Sequence, residues 1–318
     1  MIERLPRFGA AAWRAAALLL SALLLAGCAA PLPPRIDVPY GEGLLWQVEK
    51  PGFATSYVFG TYHVRDFKVR NAPPVVTQAL LSADQAAFEI SEDDAERARE
   101  QRLYTRFVML PHGQTLESLL DAPSYRRLVA IADDVLEDGP KLGETHINRF
   151  KPWFVMQVLG DGTEGPRVAN ALARTLDDTL EETAREAGKT VIGLETPEEH
   201  IAVFNDMTLD DQVGLMKDWL ATYDKGESYW TSRRLYLEGD TAMFYAIWRR
   251  ELGRLDPGLA ARYGDRLIDG RNRLMVERML PLMEKSSAFV AVGCLHLPGE
   301  EGILHLLEQR GFVVSRLH

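Results

Sequence analysis

The chain has 318 residues, of which 46% are hydrophobic and 26% charged, with a formal net charge of −10. That acidic balance argues against nucleic acid or an anionic lipid surface as a partner. The 2 cysteines, Cys28 and Cys294, are too few for a disulfide framework, so any core here is held by packing.

Residues 1–27 read as a targeting segment. Arg4, Arg7 and Arg14 precede the apolar run Ala15 to Ala26, which is too short to span a bilayer as a helix. The run closes on Leu25-Ala26-Gly27-Cys28, which resembles the bacterial lipobox. The resemblance makes Cys28 the lipidated first residue of the mature chain, and Ala29 after it, rather than Asp, fits transfer to the outer membrane. The expectation is a periplasm-facing lipoprotein. Residues 28–43, with Ala30-Pro-Leu-Pro-Pro-Arg35, read as a proline-rich tether, and 44–318 as one domain.

The domain opens with two strand patterns, Leu44 to Glu49 and Ser56 to Gly60, joined across Pro51-Gly52 as a hairpin. Gly60-Thr-Tyr-His63 follows, placing His63 three residues past a glycine at a strand end. A helical pattern from Pro73-Pro74, with Val76, Leu80 and Leu81 on one face, leads back to the strand Ala86 to Ile90. This βαβ pattern predicts that the strands of His63 and Glu89 are parallel neighbours, with Glu89 at the same carboxyl edge. A carboxylate beside a His either binds metal or orients the ring, or it is a solvated strand end.

Asp93 to about Leu136 is charged and helical, and Phe150-Lys-Pro-Trp-Phe154 starts an apolar helix. Thr175-Leu-Asp-Asp178 leads into an amphipathic helix that stops at Gly188. The strand Thr190 to Glu195 comes next, with Glu195 read as a cap or brace, or as a site wall. From Asp210 to about Leu282 the pattern is helical and aromatic, and Trp219, Tyr229, Trp230, Tyr236, Phe244, Tyr245 and Trp248 read mostly as core. Arg271-Asn272 is expected to open its last helix, where Arg271 either clamps an anion or pairs with an acidic neighbour.

A second strand end of the same kind follows. Ala288 to Val292 is an apolar run without polar alternation, as expected of a strand covered on both faces, and Gly293-Cys-Leu-His296 repeats the glycine-to-His spacing. In open α/β sheets ligands gather outside the carboxyl ends of the strands, so two such His residues suggest one shared site. Cys294 lies inside the motif and is either a small apolar filler or a nucleophile. A helix from Glu301 to Arg310 and a strand from Phe312 to Arg316 close the chain. The pattern predicts a mixed α/β fold: a largely parallel central sheet flanked by helices, with a large helical insertion between the two Gly-x-x-His halves. No Gly-rich phosphate loop or Gly-x-Ser-x-Gly elbow occurs, which weakens nucleotide-binding and serine-hydrolase readings.

From Leu44 onward the residues Phe59-Gly-Thr-Tyr-His63, Glu89, Lys151-Pro-Trp153, Asp177, Gly193-Leu-Glu-Thr196, Arg271-Asn272 and Val290 to Gly299 together resemble the TraB/PrgY/GumN family, to which the Tiki metalloproteases are related. The resemblance implies an α/β core like that of the erythromycin esterase and ChaN relatives. It also implies a metal-dependent peptidase of the cell envelope, with His63, Glu89 and His296 as metal ligands and Arg271 and Asn272 beside them in the catalytic site. Manganese or cobalt is the divalent ion that it suggests, and a peptide or other small envelope molecule the substrate. The sequence alone also admits a haem- or metal-carrying lipoprotein without catalysis, or a metal-free esterase-like hydrolase in which one His is the base.

Overall fold

The structure, a computed structural model, describes residues 32–91, 94–135, 147–160, 174–223 and 227–318. The expected leader and Cys28 lie outside the described residues. Strands β1 (Leu45–Glu49) and β2 (Ser56–Thr61) form the expected hairpin, paired from Leu45 with Phe59 to Val48 with Ser56. Gly52 takes φ +87 in its turn, a conformation that only glycine adopts without strain. Helix α1 (Pro74–Ser82), with proline in its first turn, carries the chain to β3 (Gln85–Phe88).

Helices α2 (Asp94–Phe107), α3 (Leu116–Leu119), α4 (Ala122–Val135), α5 (Pro152–Gly160) and α6 (Leu176–Glu186) separate β3 from β4 (Thr190–Gly193). Then come α7 (Pro197–Asn205), α8 (Leu209–Thr222), α9 (Glu227–Glu238), α10 (Thr241–Leu252) and α11 (Pro257–Gly264). A π turn at Asp265–Asp269 joins α11 to α12 (Gly270–Lys285), and β5 (Ala288–Gly293) follows. A 3-10 turn at Cys294–His296, α13 (Ile303–Gln309) and β6 (Val313–Arg316) complete the chain. The fold class is as predicted: a mixed α/β architecture around a six-stranded, mostly parallel sheet with a large helical insertion.

The strand order corrects one expectation. It runs β4-β3-β5-β2-β1-β6, so β2 and β3 are not neighbours. Strand β5 lies between them, parallel to both, with Val290 opposite Val58 on one side and Ala87 on the other. A right-handed βαβ crossover leaves such a gap without violating its chirality, and the most apolar strand fills it. Every β5 residue is buried. Phe289 and Ala291 join the cluster under the helical insertion, whereas Val290 and Val292 pack with Met275, Val276, Met279, Ile303 and Leu307 on the opposite face. Covered on both sides, β5 needs no polar alternation.

Two further expectations change. Arg271 does not open a helix, because α11, the π turn and α12 follow one another without a break from Pro257 to Lys285. The tether is also shorter than residues 28–43. Gly299 N–H donates to Pro39 O, Ala242 N–H to Gly41 O and Gly43 N–H to Gly239 O, which fixes residues 39–43 to the folded body. Of the aromatics expected in the core, Trp219, Tyr229, Tyr236, Phe244 and Trp248 are buried, but Trp230 is 50% exposed.

Candidate functional site

The carboxyl edge of β3-β5-β2 brings His63, Glu89 and His296 together. The two glycines explain how. A Cβ on Gly60 would lie 2.7 Å from Leu297 Cδ1 and 3.0 Å from Cys294 Cα, so only glycine lets the 3-10 turn close over the end of β2. A Cβ on Gly293 would lie 3.2 Å from Glu89 Oε1, 3.4 Å from His63 Nε2 and 3.5 Å from His296 Cδ2. The space above Gly293 is therefore ringed by all three side chains.

Glu89 is the hub of the cluster. Its Oε1 accepts the Gly293 N–H at 2.6 Å and faces His63 Nε2 at 3.7 Å and His296 Nε2 at 3.6 Å. Its Oε2 accepts from Arg271 Nη2 at 2.6 Å. The crevice is not solvent-lined, as strand-end polar groups suggest, because His63, Glu89, Arg271 and His296 are each 4–8% exposed.

Arg271 is committed to the cluster. Nε donates to Glu195 Oε1, Nη2 to Glu195 Oε2 and Glu89 Oε2, and Nη1 to Leu267 O and His296 Nε2. These bonds engage all five guanidinium N–H groups, so none is left to steady an oxyanion, the role given to Arg271 as an anion clamp. It pairs with acidic neighbours instead, and Glu195 is a brace. Asn272 is likewise saturated: its Oδ1 accepts from His296 Nδ1 at 2.5 Å and its Nδ2 donates to Glu301 O at 2.7 Å. With Nδ1 donating, His296 presents its Nε2 lone pair to Arg271.

Asp177 supplies what the sequence left undefined beside His63. Thr175 caps α6 in a capping box with Asp178, which frees Asp177, also in the first turn, to face the sheet. Its Oδ2 accepts from His63 Nδ1 at 2.8 Å and its Oδ1 from Thr61 Oγ1 at 2.8 Å. The residue stood in the family pattern, but its link to His63 did not. The sequence signal is that one cap needs only one of two adjacent acids.

These contacts drive the titrations apart. Burial works to lower the His63 pKa, yet the Asp177 and Glu89 carboxylates outweigh it and hold the imidazole well above its ordinary value. His296 is pushed down to about 3 by burial, with Arg271 and His63 adding to the effect against the pull of Glu89. Burial also opposes ionisation of Glu89, but Arg271, His296 and His63 keep its carboxyl well below the usual range. The Cys294 thiol, buried beneath Gly60, is pushed up to about 12 by burial, which suits a packed filler and not a nucleophile.

The divalent ion implied by the resemblance meets donors of the right kind in the wrong arrangement. His63 Nε2, Glu89 Oε1 and the Cδ2 edge of the His296 ring border the space above Gly293, and both rings have hydrogen-bonded Nδ1 atoms, as metal-bound His residues do. Arg271 Nη1, however, lies 3.2 Å from His296 Nε2 and takes its lone pair. Among the described residues no group of three or more His, Cys, Asp or Glu side chains is arranged to hold a metal ion. His63, Glu89 and His296 thus come together as expected but do not form a metal centre as they stand.

Comparison with known proteins places this geometry in context. The chain matches the TraB/PrgY/gumN family over residues 44–316. It is 23% identical over 319 residues to "Metalloprotease TIKI homolog" of Amphimedon queenslandica and 25% identical over 322 residues to "Metalloprotease TIKI2" of Danio rerio. Each alignment covers 86% of this chain but 61% of the relative, so the chain spans about three fifths of the length of these curated relatives. No solved structure matches it. Because the matched segment contains the whole sheet and every residue that surrounds Gly293, the chain belongs to the TraB/PrgY/gumN family.

Proposed function

We propose that the chain is a hydrolase of peptide or related acyl bonds, with His63 as the group that moves the proton. The observation that carries this reading is the freedom of one atom. Glu89, Arg271, Asn272 and His296 each have every side-chain polar atom in a hydrogen bond, whereas His63 Nε2 has only the 3.7 Å approach of Glu89 Oε1 among the described residues. Asp177 fixes Nδ1–H and so makes Nε2 the exchanging atom. With its pKa raised, His63 holds a proton for the leaving group, and the ionised Glu89 steadies the imidazolium. Membership of a family with metalloprotease-named relatives supports hydrolysis as the reaction class.

A metal-dependent version is the second reading, favoured by the names of those two relatives. In it His63, Glu89 and His296 hold a divalent ion, manganese or cobalt by the same resemblance. It requires Arg271 to leave His296 Nε2. Peptide-library cleavage with chelator, and then with added manganese or cobalt, separates the two: chelator-resistant cleavage supports the proton-only site, ion-dependent cleavage the metal site. Absence of cleavage under both conditions removes the hydrolase reading.

We also propose that the chain is a periplasm-facing lipoprotein anchored through Cys28. The basic start, the apolar run and Leu25-Ala-Gly-Cys28 support it, and no described helix is long and apolar enough to cross a membrane. Labelled fatty acid is expected to enter the wild-type chain and not Cys28→Ser. Equal labelling of both, or of neither, refutes the anchor.

A further inference from the structure

Helix α9 carries an outward face that packing does not explain. Trp230 is 50% exposed and Leu237 48% exposed, and with Arg234 they recur at the spacing of one helical face. Phe67, 63% exposed, belongs to the same surface: its neighbour Asp66 accepts from Tyr229 Oη at 2.6 Å and pairs with Arg233 at 2.7 Å, which ties the loop after His63 to the first turns of α9. Arg233 also lies 5.6 Å from the centre of the Trp230 ring. Arg233 pairs with Asp66 and Arg234 with Glu238, while the Lys68 ammonium lies 6.0 Å from the centre of the Phe67 ring. Two large aromatics and a leucine interleaved with cations suit the water–lipid boundary, where an indole keeps its N–H wet and its ring dry.

The other end of α9 says what lies opposite. Leu237 lines a surface cleft of about 430 Å³ together with Arg35, Asp240 and His318. Arg35 bonds Glu42 at 2.6 Å and approaches Asp240 at 3.4 Å, so the N-terminal segment reaches the body beside the end of α9. Leu32 and Leu317, 41% and 43% exposed, add apolar surface near this exit. From Arg35 back to Cys28 there are seven residues, at most about 25 Å of fully extended chain. A bilayer holding Cys28 therefore cannot lie far from this surface.

We propose that Phe67, Trp230 and Leu237 form a docking face for the phospholipid surface to which the chain is tethered. The proposal rests on the Cys28 anchor. It also bears on substrate, because the loop carrying Phe67 leaves β2 at His63: docking sets the candidate site at the membrane surface, within reach of peptides that lie on or emerge from it. With Arg233 and Arg234 paired and a single lysine over the Phe67 ring, zwitterionic lipid suffices as the surface, in keeping with the acidic chain.

The test uses the lipidated full chain on phosphatidylcholine vesicles with and without brominated acyl chains, which quench indoles that enter the lipid. Trp46, Trp153, Trp219 and Trp248 are 7%, 1%, 5% and 3% exposed, which leaves Trp230 as the reporter once Trp13 departs with the leader. Expected is a loss of about a fifth of the tryptophan emission on brominated vesicles, abolished by Trp230→Phe and retained in Trp219→Phe. A chain that floats with the vesicles but is not quenched overturns the docking face while leaving the anchor standing, and turns Trp230 toward a protein partner instead. A chain that does not float overturns both.

Discussion

Replacing Arg271 with methionine is expected to cost on the order of 3–5 kcal/mol of stability, read from urea unfolding, because it strands two buried carboxylates without their cation. Glu89 and Glu195 are buried, and each spends its contact with Arg271 at 2.6 Å. Methionine fills the same space but returns neither charge nor hydrogen bond. Adding Glu89→Gln and Glu195→Gln to Arg271→Met is expected to recover a large part of the loss, since the neutral amides no longer need a cation. A single-variant cost below about 1 kcal/mol means that water reaches the cluster, and the buried picture of the site is then wrong.

His63→Ala is expected to lower the cleavage rate of the best library peptide by about a hundredfold or more, the usual effect of losing a proton-transfer group. Its stability cost should stay near about 1–2 kcal/mol. Asp177 keeps Thr61 and its place in the first turn of α6, so removal of the ring leaves no isolated buried charge. Asp177→Asn is expected to fold and to lose a comparable share of the rate, since an amide can present its N–H to Nδ1 and so favour the other ring tautomer. A His63→Ala variant that unfolds, or that cleaves as the wild type does, assigns His63 to bracing the sheet edge.

His63 and His296 stood out because a local signal marks them: an apolar run, a glycine, and a His three residues on. Glu89 was visible for the same reason, as the polar residue at the end of a short buried strand. The error about β2 and β3 was topological. A βαβ pattern fixes handedness and leaves open whether a third strand enters the gap, and here one arrives about two hundred residues later in sequence. The roles of Arg271, Glu195 and Asp177 were not legible because each depends on a partner more than seventy residues distant. A lone arginine before a site reads equally well as anion clamp or ion-pair partner, and only a count of its filled N–H groups decides. The continuous helix from Pro257 to Lys285 hid the π turn in the same way, since one extra residue in a turn leaves no mark on a periodic sequence.

The central position of β5 has a consequence for how the molecule comes into being. The strand that joins both halves of the sheet is also nearly the last to emerge during synthesis. Until residues 288–293 are available, β2 and β3 have no common neighbour, and Glu89 lacks both the Gly293 N–H and His296. Contacts of such large sequence separation are slow to form, because the intervening loop must be closed before any strand pairing offsets its entropy. The sheet therefore stays incomplete, and the cluster around Gly293 unassembled, until residues 288–296 are available to fold.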